Sequence, residues 1–186
     1  FYHVMYWQLF DETDSDLLAT IRDKQTIATQ IERHAPYMRK IDCNKFLSLL
    51  AISLQRIKQQ HFIVEIPDEI TTFEHPLMTK RKFTECILAP FFQANVYAVS
   101  DLTDEEISFL YFMFAVMNTY LEEDLTEIHQ DWFDNEQYST EEIIIDKLSA
   151  YFDLALTSKE KNYLLVNLLM IHSYSSVFGT EHKIDG

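Results

Sequence analysis

Apolar residues recur at helical spacing along most of this chain, most clearly over residues 102–121. Thr103 followed by Glu106 is the pattern of a capping box and predicts a helix start. Ile107, Leu110, Phe114, Met117 and Leu121 then follow at helical steps, with further apolar residues on the other faces. A helix this apolar is expected to be central and buried almost all round. Ser139 with Glu142, and Thr157 with Glu160, repeat the capping pattern before apolar runs that hold Ile143, Ile144, Leu148 and Tyr151 in one case and Leu164, Leu165, Leu168, Leu169 and Ile171 in the other.

Weaker periodicity fills in the rest. Tyr2 to Phe10 reads as a short amphipathic helix and Asp11 to Asp16 as an acidic turn. Leu17, Ile21, Ala28 and Ile31 share a face of a helix that Ala35-Pro36 ends. Asp42 is placed to N-cap a helix striped with Phe46, Leu47, Leu50, Leu54 and Ile57. Residues 61–77, with Pro67 and His75-Pro76, read as an ordered loop. Phe83 and Ile87 resume a helix that Pro90 must bend or split. The expectation is an all-α fold, with helices near 14–34, 43–60, 79–99, 103–121, 140–152 and 158–177.

Composition supports that expectation. Among 186 residues there are 2 glycines and 4 prolines, too few for the tight turns of a sheet-rich fold. The chain is long enough for a proper core. It begins with Phe rather than Met, which suggests a piece of a longer polypeptide. Residues 1–100 hold 12 acidic and 11 basic side chains, whereas residues 101–186 hold 18 and 4. Such an acidic second half repels phosphate backbones, so any contact with DNA must come from domains outside this sequence. The acidity otherwise reads as a solvated surface, or as a face for a basic partner. Cys43 and Cys86 stand far apart, as expected of free thiols in the cytoplasm. No signal peptide or membrane-length apolar run is present, so no membrane partner is expected.

Enzyme chemistry is not visible. Two glycines cannot build a Walker A loop or a GxGxxG turn, and GxSxG, HExxH and CxxC are absent. The carboxylates of Asp104-Glu105-Glu106 and Glu141-Glu142 sit near expected helix starts, where negative charge favours the dipole. No catalytic residue, cofactor or metal ligand is assigned. Of the seven histidines, His3, His61, His75, His129 and His182 fall in loops or fraying ends and read as surface or satisfied core residues. His34 closes a helix, where an imidazolium suits the dipole. His172 lies on the apolar helix LLVNLLMIHSYSSVF, and no partner carboxylate can be named for it from the sequence.

Two segments carry a resemblance. KFLSLLAISLQRIKQQHFIVEIP, residues 45–67, resembles the helix of phosphotransferase-system regulatory domains (PRDs) that ends in an Arg, a basic-polar turn, an Ile and a Pro, here Arg56, Lys58, Ile63 and Pro67. DLTDEEISFLYFMF, residues 101–114, resembles the later PRD helix that opens on an acidic pair and Ile: here Glu105, Glu106 and Ile107, then Phe109 and Leu110. The match covers roughly residues 15–120. Classical PRDs carry a phosphorylated histidine on each of these helices, and Leu49 and Met113 stand at about those places here. In this the chain is more similar to the Mga-like virulence regulators of Gram-positive bacteria.

The resemblance implies a PRD-like module over 1–120 and an acidic helical segment over 121–186 that ends the first bundle or opens a second. It implies a cytoplasmic, dimeric, non-enzymatic domain of a transcription regulator, whose partner would be the phosphocarrier protein of the phosphotransferase system. His172, then His34, are the remaining candidate phosphoacceptors. Two other readings stand beside it: an all-helical small-ligand sensor similar to the ligand domains of TetR-type repressors, and an acidic partner-binding protein.

Overall fold

The computed structural model describes residues 19, 21–75, 77–118, 120 and 139–178, of which residue 139 by its backbone alone. The chain divides into two compact units, Phe1–Asn118 and Thr119–Gly186. Every regular element among the described residues is helical. The expected Tyr2–Phe10 helix, the acidic turn after it and His3, His129 and His182 lie outside them.

In the first unit residue 19 is helical and a turn at 21–23, in which Asp23 adopts φ 53°, precedes α1 (Lys24–His34), so the helix expected over 14–34 is interrupted there. α2 (Lys40–Lys58) starts before Asp42, not after it. Arg39 is its N-cap, and Asp42 lies inside the first turn, where it is buried and within 3.9 Å of Lys45. The loop that follows contains a single turn of helix, α3 (Asp68–Thr71). The helix expected over 79–99 is divided: α4 (Lys80–Phe83), a π turn (Thr84–Leu88) and α5 (Ala89–Ala94). In the widened turn the Ala89 N–H donates to Thr84 O, five residues back. Pro90 has no N–H to give and its ring would crowd the carbonyl four residues before it, so the irregularity sits just upstream of the proline. A 3₁₀ turn (Val99–Asp101) leads into α6 (Asp104–Val116).

With so few glycines, helices stop on other residues. Gln60 at φ 58°, Val96 at φ 70° and Asp153 at φ 52° take the left-handed position. The next N–H then closes back five residues in each case: His61 to Arg56 O, Tyr97 to Phe92 O and Leu154 to Ser149 O. These are the bonds of a Schellman stop, which glycine would make without steric cost. A β-branched valine in this region is the most strained of the three.

α6 is the centre of the first unit. Leu110 to Ala115 are consecutively buried, so no face of its middle turns meets water. Phe46 of α2, Phe83 of α4 and Phe114 form an aromatic triangle with ring centroids 5.0–6.0 Å apart. Phe73 beside α3 packs edge-on to Phe112 at 5.2 Å. Ile107, expected among the most buried residues, is only half-buried. It lies in the first turn of the helix, next to the fully buried Glu106.

The second unit contains α7 (Ser139–Phe152) and α8 (Ser158–Phe178). Thr157 and Glu160 close a full capping box, with Thr157 N–H donating to Glu160 Oε2 at 2.8 Å and Glu160 N–H to Thr157 Oγ1 at 3.3 Å. α7 does not bury its long apolar stripe: Ile143, Ile144, Leu148 and Tyr151 are all exposed, and its buried residues are Glu141 and Ile145.

Candidate functional site

Leu49 and Met113 both lie in the core of the first unit, 1% and 3% exposed. Apolar side chains at these places bury area that a histidine would have to desolvate. His34 is the last residue of α1 and half-buried, beside Arg33 at the negative end of the helix.

His172 is built differently. Its side chain is 60% exposed, yet its Nδ1 lies 2.5 Å from Oε1 of Glu141, which is 3% exposed. Glu141 stands in the first turn of α7, and His172 reaches it from α8 across a gap of 31 residues in sequence. Burying a carboxylate requires a donor, and the imidazole N–H supplies it. An ionised carboxylate accepts only, so with Glu141 ionised Nδ1 would be the donor. In the neutral ring this leaves the lone pair on Nε2. The arrangement is an exposed imidazole hydrogen-bonded to a buried carboxylate of the neighbouring helix.

A second polar station lies in the first unit. Glu106 is fully buried, and its Oε1 accepts from Ile63 N–H at 2.9 Å and lies 3.8 Å from the Arg56 guanidinium. Glu106 N–H donates to Thr103 Oγ1 at 3.2 Å, as a capping box requires. The reciprocal half is redirected, because the Glu106 carboxylate turns to the 61–67 loop. This station ties the end of α2 to the start of α6.

His75 is the third feature. The sequence placed it in a loop, and it is there, but it is buried against the rings of Tyr37, Tyr111 and Phe114. Its backbone N–H donates to Tyr111 Oη at 2.8 Å, Tyr111 Oη donates to Met78 O at 2.7 Å, and Leu77 N–H donates to His75 Nδ1 at 2.9 Å. Burial lowers the His75 pKa from 6.5 to about 3 and pushes the Tyr37 phenol up, with Tyr111 adding to the latter. The unfolded chain therefore binds a proton between these limits that the folded chain refuses, so stability falls as the pH drops below about 6.5. Wild type is expected to lose about 1.4 kcal/mol more per pH unit between roughly pH 6 and 4 than His75→Asn, whose Oδ1 can still accept from Leu77 N–H. Urea titrations across that range measure it, and equal slopes in the two proteins would show that His75 titrates normally.

Cys43 and Cys86 are free and half-buried, and burial pushes the Cys43 thiol up, with Glu32 adding to it, so it is no ready nucleophile. Among the described residues no group of three His, Cys, Asp or Glu side chains could hold a metal ion. No described helix is long and apolar enough to cross a membrane.

No protein-family model matches the chain, and no curated protein and no solved structure matches it either.

Proposed function

We propose that this chain is the regulatory and dimerisation module of a Mga-like transcription regulator, relaying a phosphotransferase-system signal to DNA-binding domains outside this sequence. The observation that carries the reading is the Arg56–Ile63–Glu106 station. The two segments that resemble PRD helices are 43 residues apart at the Ile63–Glu106 bond. Three of the positions on which the resemblance rests meet there, Arg56 and Glu106 by their side chains and Ile63 by its backbone N–H. A chance match of apolar patterns has no reason to bring the polar members together.

His172 is the acceptor in this reading. Its Nε2 attacks the phosphorus of a phosphohistidine on the carrier protein. The N–P bond to the carrier breaks as the new one forms, and the carrier's imidazole leaves with the electron pair. Glu141 keeps the Nδ1 proton in place and balances the charge the ring gains. A phosphoryl group adds negative charge and acceptor oxygens to an acidic unit with few cations to receive them, which shifts the monomer–dimer balance.

The test incubates the full chain with phosphocarrier protein and its kinase, followed by phosphate labelling and sedimentation. Wild type is expected to take label and His172→Ala to lose most of it, with Glu141→Gln in between. Undiminished labelling of His172→Ala would move the acceptor elsewhere, with His34 next to be replaced. Absence of label in wild type would remove the phosphotransfer part and leave a structural dimerisation module.

A further inference from the structure

α7 turns one side to α8 and leaves another, more apolar, uncovered. Glu141 and Ile145, four residues apart, are buried, and Glu141 meets His172 of α8. Ile144, Leu148 and Tyr151 follow the i, i+4, i+7 spacing of a different face, with Ile143 beside them. All four are exposed, from 41% at Ile144 to 81% at Tyr151. The apolar surface runs on through Phe152, whose ring lies edge-on to Tyr151 at 4.9 Å, to Leu154, both more than half exposed. These six side chains leave roughly 600 Å² of largely apolar surface in water, the upper end of what a monomer shows in one patch. Such exposure gains nothing for folding, and a patch of this size marks an interaction site.

Charge decides what fits it. The second unit, Thr119–Gly186, holds 14 acidic and 4 basic side chains, a balance of −10. On α7, Glu142 and Asp146, also four apart and both exposed, line the edge of the stripe next to Ile143, and Asp153 stands between Phe152 and Leu154. Asp146 already holds Lys161 at 3.0 Å, so Glu142 is the better probe of that edge. Lys147 is the one cation of the helix. A second copy would bring like charge to like charge, and a two-fold pairing through Leu148 would set one Lys147 near the other. A partner of opposite sign meets no such cost. The stripe spans ten residues, about three helical turns, so the occupant that matches its spacing, length and charge is a helix with an apolar face flanked by Lys and Arg.

We propose that this face of α7 docks a basic amphipathic helix of a partner protein, its apolar residues on Ile144, Leu148 and Tyr151 and its cations along the Glu142 edge. The site stands whether or not His172 accepts a phosphoryl group, and the dimerisation proposed above then uses another surface.

The experiment titrates the full chain into three fluorescein-labelled peptides of equal length and follows anisotropy. One carries Leu on a single helical face and Lys elsewhere, the second has Glu in place of every Lys, and the third is the first with its order scrambled so that no apolar face forms. Saturable binding of the Leu/Lys helix is expected, about tenfold or more tighter than the scrambled peptide, with none for the Leu/Glu helix. Leu148→Asp and Tyr151→Ser, on exposed side chains, are each expected to weaken it about tenfold while thermal melts stay those of wild type. Glu142→Lys is expected to weaken it about threefold. Equal binding of the scrambled peptide would reduce the effect to charge attraction, and equal binding of the Leu/Glu helix would remove charge from it; either overturns the proposal, as does unchanged affinity in both Leu148→Asp and Tyr151→Ser. Large losses of thermal stability in both variants would show that the face is covered within the chain. A wild-type dimer that Leu148→Asp and Tyr151→Ser dissociate in sedimentation would give the face to a second copy. Either result also overturns the proposal.

Discussion

Replacing Phe114 by alanine is expected to lower the free energy of unfolding by about 3–5 kcal/mol, the usual cost of truncating a fully buried phenylalanine. Its ring is completely buried, 5.0 Å from Phe83, 5.3 Å from Phe46 and 5.8 Å from His75. These partners come from α2, α4 and the loop before it, so three separate segments lose packing at once. Collapse around the gap is limited because the residues on either side, Met113 and Ala115, are already buried. Urea unfolding followed by circular dichroism measures the effect. Ile107→Ala serves as the contrast, since a half-buried side chain has less contact to lose. A loss below about 1 kcal/mol for Phe114→Ala, or one no larger than that of Ile107→Ala, would mean that α6 does not organise the core.

The start and middle of α6 were legible in the sequence because their signals are local, whereas its end was not, since the helix stops at Val116 and not near 121. Thr103 marks the start, and an almost unbroken apolar run from Ile107 to Met117 can only be buried. The start of α8 was legible for the same reason, with Thr157 and Glu160 three residues apart. Features that arise from closure of the chain left no such trace. Pro90 announces a distortion, but not that the five residues before Ala89 would absorb it as a π turn. Asp42 has the side chain of an N-cap, yet the helix starts at Lys40, because backbone geometry and the packing of Phe46 and Leu47 outweigh one hydrogen bond. His75 stands in a loop between polar residues, and its burial comes from Tyr111, 36 residues away. Glu141 looked like ordinary helix-start acidity until α8 brought His172 to it. Lys80 belongs to a basic run, Lys80-Arg81-Lys82, that reads as a solvated face. Of that run Arg81 is exposed and ion-paired to Glu85 at 2.8 Å, whereas Lys80 is half-buried and its Nζ donates to Ser108 Oγ at 3.0 Å.

Removing the Glu106 side chain is expected to cost as much as removing Phe114, for an electrostatic reason. Glu106→Ala takes away the acceptor of Ile63 N–H and the carboxylate 3.8 Å from Arg56, whose side chain is only 18% exposed. A buried charge that loses its counter-charge typically costs about 3–5 kcal/mol, even where the intact pair adds little net stability. Glu106→Gln separates the two roles. Its Oε1 can still accept from Ile63 while the charge is gone, so it should cost about 1–3 kcal/mol. The decisive variant is Glu106→Ala combined with Arg56→Met, which keeps an apolar stem and removes the guanidinium. If the cost is the uncompensated charge, the double variant is expected to be more stable than Glu106→Ala alone, a strongly non-additive cycle. Additive losses would mean that the carboxylate acts through Ile63 and the loop rather than through Arg56. The outcome bears on function as well. A station that fails additively is a loop clasp any helical domain could use. One that fails through the ion pair is a specific lock between the end of α2 and the start of α6, the two helices on which the proposed regulatory role rests.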